Sequence, residues 1–316
     1  MSRWLGVAAA QLGPIGRDEP REAVVKRLVR LLREAHERGA ELVVFPELAL
    51  TTFFPRWALA RSVADQWFET EMPGPATKPL FEEAALLRVG FFLGYAELTE
   101  DGHRYNSAVL VERDGSIVAR FRKVHIPGHE TEEPWRSFQH LERHYFEPGP
   151  DSFGVWDAFG CRVGMMVGND RRWPESYRVM GLQGVELICC GYNTPIHYAP
   201  DPSQDALAGF HNQLVLQAGA YQNGTWVVAA AKGGIEEGVD SLAQSSIVAP
   251  SGQVVAQTLS ADDEVIVARC DLDWCSRYKS TLFDFARYRR PELYGLITAS
   301  SDDPGRSGPS RQDVTP

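Results

Sequence analysis

No run of about 18 apolar residues occurs anywhere in this 316-residue chain, which excludes a membrane-spanning helix. The opening MSRWLGVAAAQLG has too short an apolar stretch for a secretory signal and is expected to form a first strand instead. Basic residues are in deficit, 32 Lys and Arg against 42 Asp and Glu, for a formal net charge of −10. That balance argues against a nucleic-acid partner, because phosphate neutralisation needs a clustered basic face, and the arginines here are scattered or share helices with glutamates. Cysteine is scarce and odd in number: Cys161, Cys189, Cys190, Cys270 and Cys275 lack metal-site spacing, and several sit within apolar strand-like runs where thiols pack as small hydrophobes. Reduced thiols and a cytoplasmic location are the expectation. Four of the histidines, His125, His129, His140 and His144, fall close together, but without an HExxH helix or paired cysteines they do not read as a zinc site.

What is present is the alternation of strands and helices of an α/β protein. Trp4–Gln11 reads as a strand. From about Pro20 to Arg38 the residues Val24, Val25, Leu28, Leu31, Leu32 and Ala35 recur at helical spacing, and Gly39 ends the segment. Residues 41–46 form a buried strand that delivers Glu47 at its carboxyl end, a position equally suited to acid–base work and to a plain loop glutamate. A helix over 76–87 precedes a strand over 89–96. Asp114-Gly115 between two apolar runs marks a hairpin that runs into Lys123, an ordinary place for a solvated charge. Residues 126–150 have little periodicity and many polar and aromatic groups, the composition of a loop that covers or lines a site.

The run CRVGMMVGNDRRW (161–173) is the most informative stretch. An apolar strand breaks at Gly168, exposes Asn169, Asp170 and two arginines, and gives way to a helix opened by Pro174. Such a strand–turn–helix elbow is where α/β enzymes present active-site groups. Residues 185–190 read as the neighbouring parallel strand, which brings Asn193-Thr194 beside Gly168. A helix over 205–222, a strand over 226–231, a hairpin around Pro250-Ser251-Gly252 and a strand over 264–270 follow. With no composition break that would mark a linker, residues 1–299 are expected to form one domain, and 300–316, rich in Ser, Asp, Gly and Pro, a disordered tail.

Taken together, FPELALTTFFPRW, KVHIPGH, FQHLERHYFEPG, NDRRWPESYRVMGLQG, GYNTP and AGAYQNGTW resemble the N-carbamoyl-D-amino acid amidohydrolases of the nitrilase superfamily over roughly residues 5–297. The resemblance implies a four-layer αββα sandwich, usually paired into homodimers or homotetramers, with no cofactor and no metal. It implies hydrolysis of N-carbamoyl-D-amino acids to D-amino acid, CO2 and ammonia. By position, Glu47 would be the general base, Lys123 the cation at the oxyanion, and Glu142 a second acid that orients the site. The backbone N–H of Asn169 would be the other oxyanion donor, Arg171 and Arg172 a clamp for the substrate carboxylate, and His125, His140, Asn193 and Thr194 the rest of the pocket. A carbamoyl group is a poor electrophile, so the chemistry gains from a covalent intermediate on a thiol, with one glutamate taking and returning the proton.

In such enzymes the nucleophilic cysteine precedes Asn-Asp-Arg-Arg; this chain carries Gly168 there. Glycine suits a strained elbow, but loss of a covalent nucleophile costs on the order of 10⁶ in turnover. Three readings follow: a scaffold that binds N-carbamoyl amino acids and barely turns them over, a nucleophile relocated to Cys190 on the adjacent strand, or a non-catalytic ligand sensor. The aromatic region after Asp271, with Trp274, Tyr278, Phe283, Phe285 and Tyr288, is expected to contribute to an interface between copies.

Overall fold

The computed structural model describes residues 2–299; the expected tail at 300–316 lies outside the described residues. Two β-sheets lie face to face, each covered on its outer side by helices. The first sheet is built from β1 (Trp4–Gln11), β2 (Leu42–Val44), β3 (Phe68–Glu69), β4 (Gly90–Leu98), β5 (Arg104–Val111) and β6 (Ile117–Arg122). The second holds β7 (Val155–Ala158), β8 (Cys161–Val167), β9 (Leu187–Tyr192) and β10 (Trp226–Ala231). A separate hairpin, β11 (Gly233–Glu236) and β12 (Val239–Leu242), precedes its last two strands, β13 (Ser246–Val248) and β14 (Val254–Gln257), and β15 (Glu264–Asp271) returns to the first sheet.

Strand order is β15-β1-β2-β4-β5-β6 in the first sheet, with β3 on β4, and β14-β13-β10-β9-β8-β7 in the second. The central pairs β1–β2, β2–β4, β8–β9 and β9–β10 are parallel. Their residues are apolar on both faces because both faces are covered. In β1 the two-residue period is plain: Val7 and Ala9 enter the core between the sheets, while Ala8 and Ala10 face the outer helical layer. That layer is formed by α1 (Arg21–Glu37) and α2 (Lys78–Leu87). The apolar stripe of α1, Val24, Val25, Leu28, Leu31, Leu32 and Ala35, is completely buried there. On the other side α3 (Pro174–Leu182) and α4 (Ala208–Asn223) pack Tyr177, Met180, Leu216 and Ala220 onto the second sheet. The αββα arrangement that the resemblance implies is the one observed.

Element boundaries differ in small, explicable ways. The strand before Glu47 is only three residues long, because Pro46 has no N–H to donate to a ladder. The segment expected to be helical from 205 begins as a 3₁₀ turn over Pro202–Leu207, and the α-helix starts at Ala208. The aromatic residues after Asp271 mostly fold back on their own chain. Trp274 stacks on Trp226 at 6.0 Å, Phe283 meets the edge of Tyr221 at 4.9 Å, and Phe285 lies under the Arg178 guanidinium; Tyr288 stays exposed.

Two close approaches fix the strand ends that matter. A Cβ on Gly94 of β4 would stand 2.7 Å from the Cα of Glu47, and a Cβ on Gly191 of β9 would stand 2.7 Å from its backbone N. Glycine at both positions lets strands from the two sheets grip the Pro46-Glu47 backbone from either side.

Candidate active site

The carboxyl ends of β2, β8 and β9 converge, and three charged side chains meet there, each about 1% exposed: Glu47, Lys123 and Glu142. The Lys123 ammonium donates to Oε1 of Glu47 at 2.7 Å and to Oε2 of Glu142 at 2.5 Å. Asn106 of β5 binds the same two carboxylates through Nδ2, at 2.7 Å and 3.3 Å. The backbone N–H of Asn193 donates to Oε2 of Glu47 at 2.9 Å, and His140 Nε2 lies 3.0 Å from Oε1 of Glu142. Because an ionised carboxylate only accepts, His140 donates through Nε2.

One cation shared by two buried carboxylates separates their acidities. Burial raises Glu47, and the charge of Glu142 adds to that, against the pull of Lys123. Burial also presses on Glu142, but Lys123 and the hydrogen bond from His140 outweigh it and hold that carboxyl at about 2. Lys123 is raised: desolvation works against its charge, and the two carboxylates overcome it. Glu142 is therefore the fixed anion and Glu47 the group that exchanges a proton more readily, the division of labour expected of an acid–base pair.

The elbow follows β8. Gly168 has φ +52°, the left-handed region that favours glycine. A Cβ there would come within 2.6 Å of Oε1 and 2.7 Å of Cδ of Glu47, and closer still to Oε2. Asp170, fully buried, holds the turn: it accepts from the backbone N–H of Val167 at 3.3 Å, and from the backbone N–H and Nδ1 of His125 at 2.9 Å each. Asn169 donates to the His125 carbonyl at 3.2 Å. The His125 ring is sandwiched between Trp173 and Phe153, so it braces the elbow and does not line the cavity.

Arg171 is buried and bound on three sides, donating to Asn212 Oδ1 at 2.9 Å, to the Gly168 carbonyl at 2.7 Å and to Thr194 Oγ1 at 3.0 Å, with its guanidinium 4.2 Å over the Tyr192 ring. Arg172 is exposed in the cavity wall, where partial desolvation and the neighbouring Arg171 cation lower its guanidinium. Among the described residues neither arginine has a carboxylate partner.

These groups open onto a cavity of about 410 Å³. Of the residues singled out in the sequence, Glu47, Lys123, His140, Glu142, Asn169, Arg171, Arg172, Asn193 and Thr194 line it; His125 and Gly168 do not. Asn193 Nδ2 is buried without a partner among the described residues. Sequence reading missed Asn106 and Asn212, and also Arg136, Phe138, Tyr198 and His211 in the outer wall; Asp170 and Arg171, read as part of an exposed cluster, are instead buried by the bonds they make across the elbow. Asn106 carried a usable signal, since an amide inside the apolar run of β5 must find buried partners. Cys190 is completely buried on β9, does not line the cavity, and burial raises its thiol to about 12, the environment of a packed thiol and not of a reactive one. Among the described residues no group of three or more His, Cys, Asp or Glu side chains is placed to hold a metal ion.

The model of the carbon-nitrogen hydrolase family matches residues 6–280, and the chain belongs to that family, part of the nitrilase superfamily. It is 29% identical over 294 residues to an N-carbamoylputrescine amidase of Solanum lycopersicum, covering 87% of this chain and 90% of that protein. It is also 29% identical over 272 residues to a citrullinase of Francisella tularensis, covering 84% and 88%. In three dimensions it is similar to a carbon-nitrogen hydrolase from Helicobacter pylori, with a TM-score of 0.82 at 22% identity over 94% of this chain and 99% of that one.

Proposed function

We propose that this carbon-nitrogen hydrolase site is built for N-carbamoyl-D-amino acids, that residue 168 is its nucleophile position, and that with glycine there the chain binds such ligands while turning them over very slowly. The observation that carries the reading is one cavity with the Glu47–Lys123–Glu142 cluster in its wall and two guanidinium groups, Arg171 and Arg172, that lack a carboxylate of their own. A ligand bearing a carboxylate would satisfy Arg172, whose planar fork is free of such bonds, with Arg171 behind it as a second positive charge, and its carbamoyl group would then meet the acid–base cluster. The unpartnered Nδ2 of Asn193 supplies a further donor to a ligand oxygen. A relative named for N-carbamoylputrescine agrees with a carbamoyl substrate. The D configuration rests on the sequence resemblance.

In the proposed reaction a thiol at position 168 attacks the carbamoyl carbon as Glu47 takes its proton, and Lys123 with the Asn169 N–H stabilises the oxyanion. Glu47 returns the proton to the leaving nitrogen, then activates water against the thioester. Gly168 removes the first step and leaves the binding groups in place. A ligand-binding protein without turnover uses the same pocket, and the contact of Glu47 with the Gly168 backbone favours it for the chain as it stands.

The deciding experiment is ammonia release from N-carbamoyl-D-amino acids by Gly168→Cys beside the unchanged chain, with calorimetry of ligand binding to both. Activity in the variant alone, with binding in both, is the expected result; a folded, inactive Gly168→Cys overturns the assignment of the nucleophile position. We further propose that residues 1–299 act as one unit, that five unpaired, buried cysteines belong in the reducing cytoplasm, and that copies associate as dimers or tetramers with the aromatic region after Asp271, where Tyr288 stays exposed, in the interface.

A further inference from the structure

A second buried ionic cluster lies outside the cavity. Glu236, at the end of β11 and 2% exposed, accepts from five donors: Ile15 N–H at 2.9 Å, Thr52 Oγ1 at 3.1 Å, Phe53 N–H at 2.7 Å, Arg56 Nη2 at 2.7 Å and Lys232 Nζ at 3.0 Å. Lys232 also donates to the Thr51 carbonyl at 2.5 Å, and Arg56 to the carbonyls of Phe53, at 2.9 Å, and of Glu236 itself. Three chain segments are tied together by one carboxylate. One of them, the turn over residues 51–56, lies directly after Glu47.

That turn holds the segment that carries Glu142. Leu141 N–H donates to the Pro55 carbonyl at 2.8 Å and Gln139 N–H to the Arg56 carbonyl at 3.4 Å. The Phe53 ring meets His140 edge to face, with centroids 5.5 Å apart and planes at 81°, and His140 in turn donates to Glu142. Neither Lys232, Glu236 nor Arg56 lines the cavity, so none touches a ligand there.

We infer that Glu236, through the 51–56 turn and the Phe53 ring, is a positioning residue that sets the place of His140 and Glu142 against Lys123. Stabilising three loops would need only the hydrogen bonds; the ring against His140 makes the cluster a determinant of the acid–base site. The inference rests on the reading of Glu142 as part of a hydrolytic site.

The test uses two substitutions in the full chain, because Glu236→Gln strands two buried cations and can unfold the protein. Phe53→Leu keeps every hydrogen bond of the ionic cluster and removes the aromatic edge on His140, together with the ring face 5.8 Å from the Arg56 guanidinium. In the Gly168 chain, the side-chain N–H resonance of His140 is read by ¹⁵N-correlated NMR, with exposed His103 as reference. Phe53→Leu, and Glu236→Gln where it folds, are expected to shift or broaden the His140 signal and leave His103 unmoved. In the Gly168→Cys background the same substitutions should lower kcat by on the order of 10- to 100-fold with KM within about twofold. An unchanged His140 signal in Phe53→Leu, or kcat unchanged by it, overturns the inference. An inactive Gly168→Cys parent counts against the proposed function and leaves the His140 measurement to decide this one.

Discussion

The carboxylate of Glu47 rests against the backbone of Gly168, with both of its oxygens and its Cδ inside the space that a Cβ on residue 168 would need. The contact is not a loose fit. Lys123 and Asn106 hold one oxygen of Glu47 and the Asn193 N–H the other, so the carboxylate is tethered where it stands. Any side chain at 168 must therefore push a bonded, buried group aside.

Gly168→Ala measures that resistance without adding chemistry. The left-handed φ alone costs roughly 1–2 kcal/mol for a residue with a Cβ, and displacement of Glu47 adds to it. Urea unfolding of Gly168→Ala should show a loss of at least about that size with the m-value unchanged. A neutral or stabilising substitution would mean that Glu47 does not occupy this space in solution.

Acid stability reports on Glu142. Its carboxyl is held at about 2 in the folded chain against 4.5 in the unfolded one. A depressed folded value adds stability that is complete above 4.5 and is lost as the pH falls from there towards 2. Glu47, raised on folding, works in the opposite sense and costs stability once it ionises. Glu142→Gln should therefore flatten the fall in unfolding free energy between about pH 4.5 and 2 relative to the unchanged chain. Parallel curves for the two proteins would refute the assignment of Glu142 as the fixed anion.

The layers of this fold were legible because their signals are local: the α1 stripe, the apolar parallel strands and the Asp114-Gly115 hairpin each declare themselves within a dozen residues. Glu47, Lys123 and Glu142 could be named but not joined, since the bond between them depends on strand ends that meet only once two sheets pack. Gly94 and Gly191 show why. Each reads as a weak point in a strand, and only the packed structure reveals that both make room for the Glu47 backbone. Glu236 lay further from reach, because five donors from three segments surround it and no motif of its own marks it. The partners of the aromatic residues after Asp271 were out of reach in the same way: composition gave their apolar character but not Trp226 and Tyr221, which pack against two of them.

All five cysteines are buried and unpaired. Burial raises the thiols of Cys161, Cys190 and Cys275 to about 12, and raises Cys189 and Cys270 as well, so the reactive thiolate is suppressed throughout. Mass spectrometry after iodoacetamide at neutral pH should find the native chain unmodified and the denatured chain labelled five times. In Gly168→Cys one fast site should appear. Rapid labelling of Cys190 in the unchanged chain would reopen it as a nucleophile.

The two arginines should separate by experiment. Arg171 spends its nitrogens on Asn212, Thr194 and the Gly168 carbonyl, so Arg171→Ala strips the elbow of a brace and leaves buried acceptors unpaired. That substitution should lower both folding stability and ligand affinity. Arg172 has no such bonds in the structure, only a place in the cavity wall beside a like charge that an anion would relieve. Arg172→Ala should leave unfolding within about 0.5 kcal/mol of the unchanged chain, as surface substitutions do, and weaken binding of an N-carbamoyl amino acid by the roughly 1.5–3 kcal/mol of a hydrogen bond to a charged group. Calorimetry with the acid and with its carboxamide analogue distinguishes the cause. If Arg172 holds the carboxylate, the amide binds weakly to the unchanged chain and the substitution takes little more from it; equal losses for acid and amide would assign Arg172 to the shape of the cavity instead.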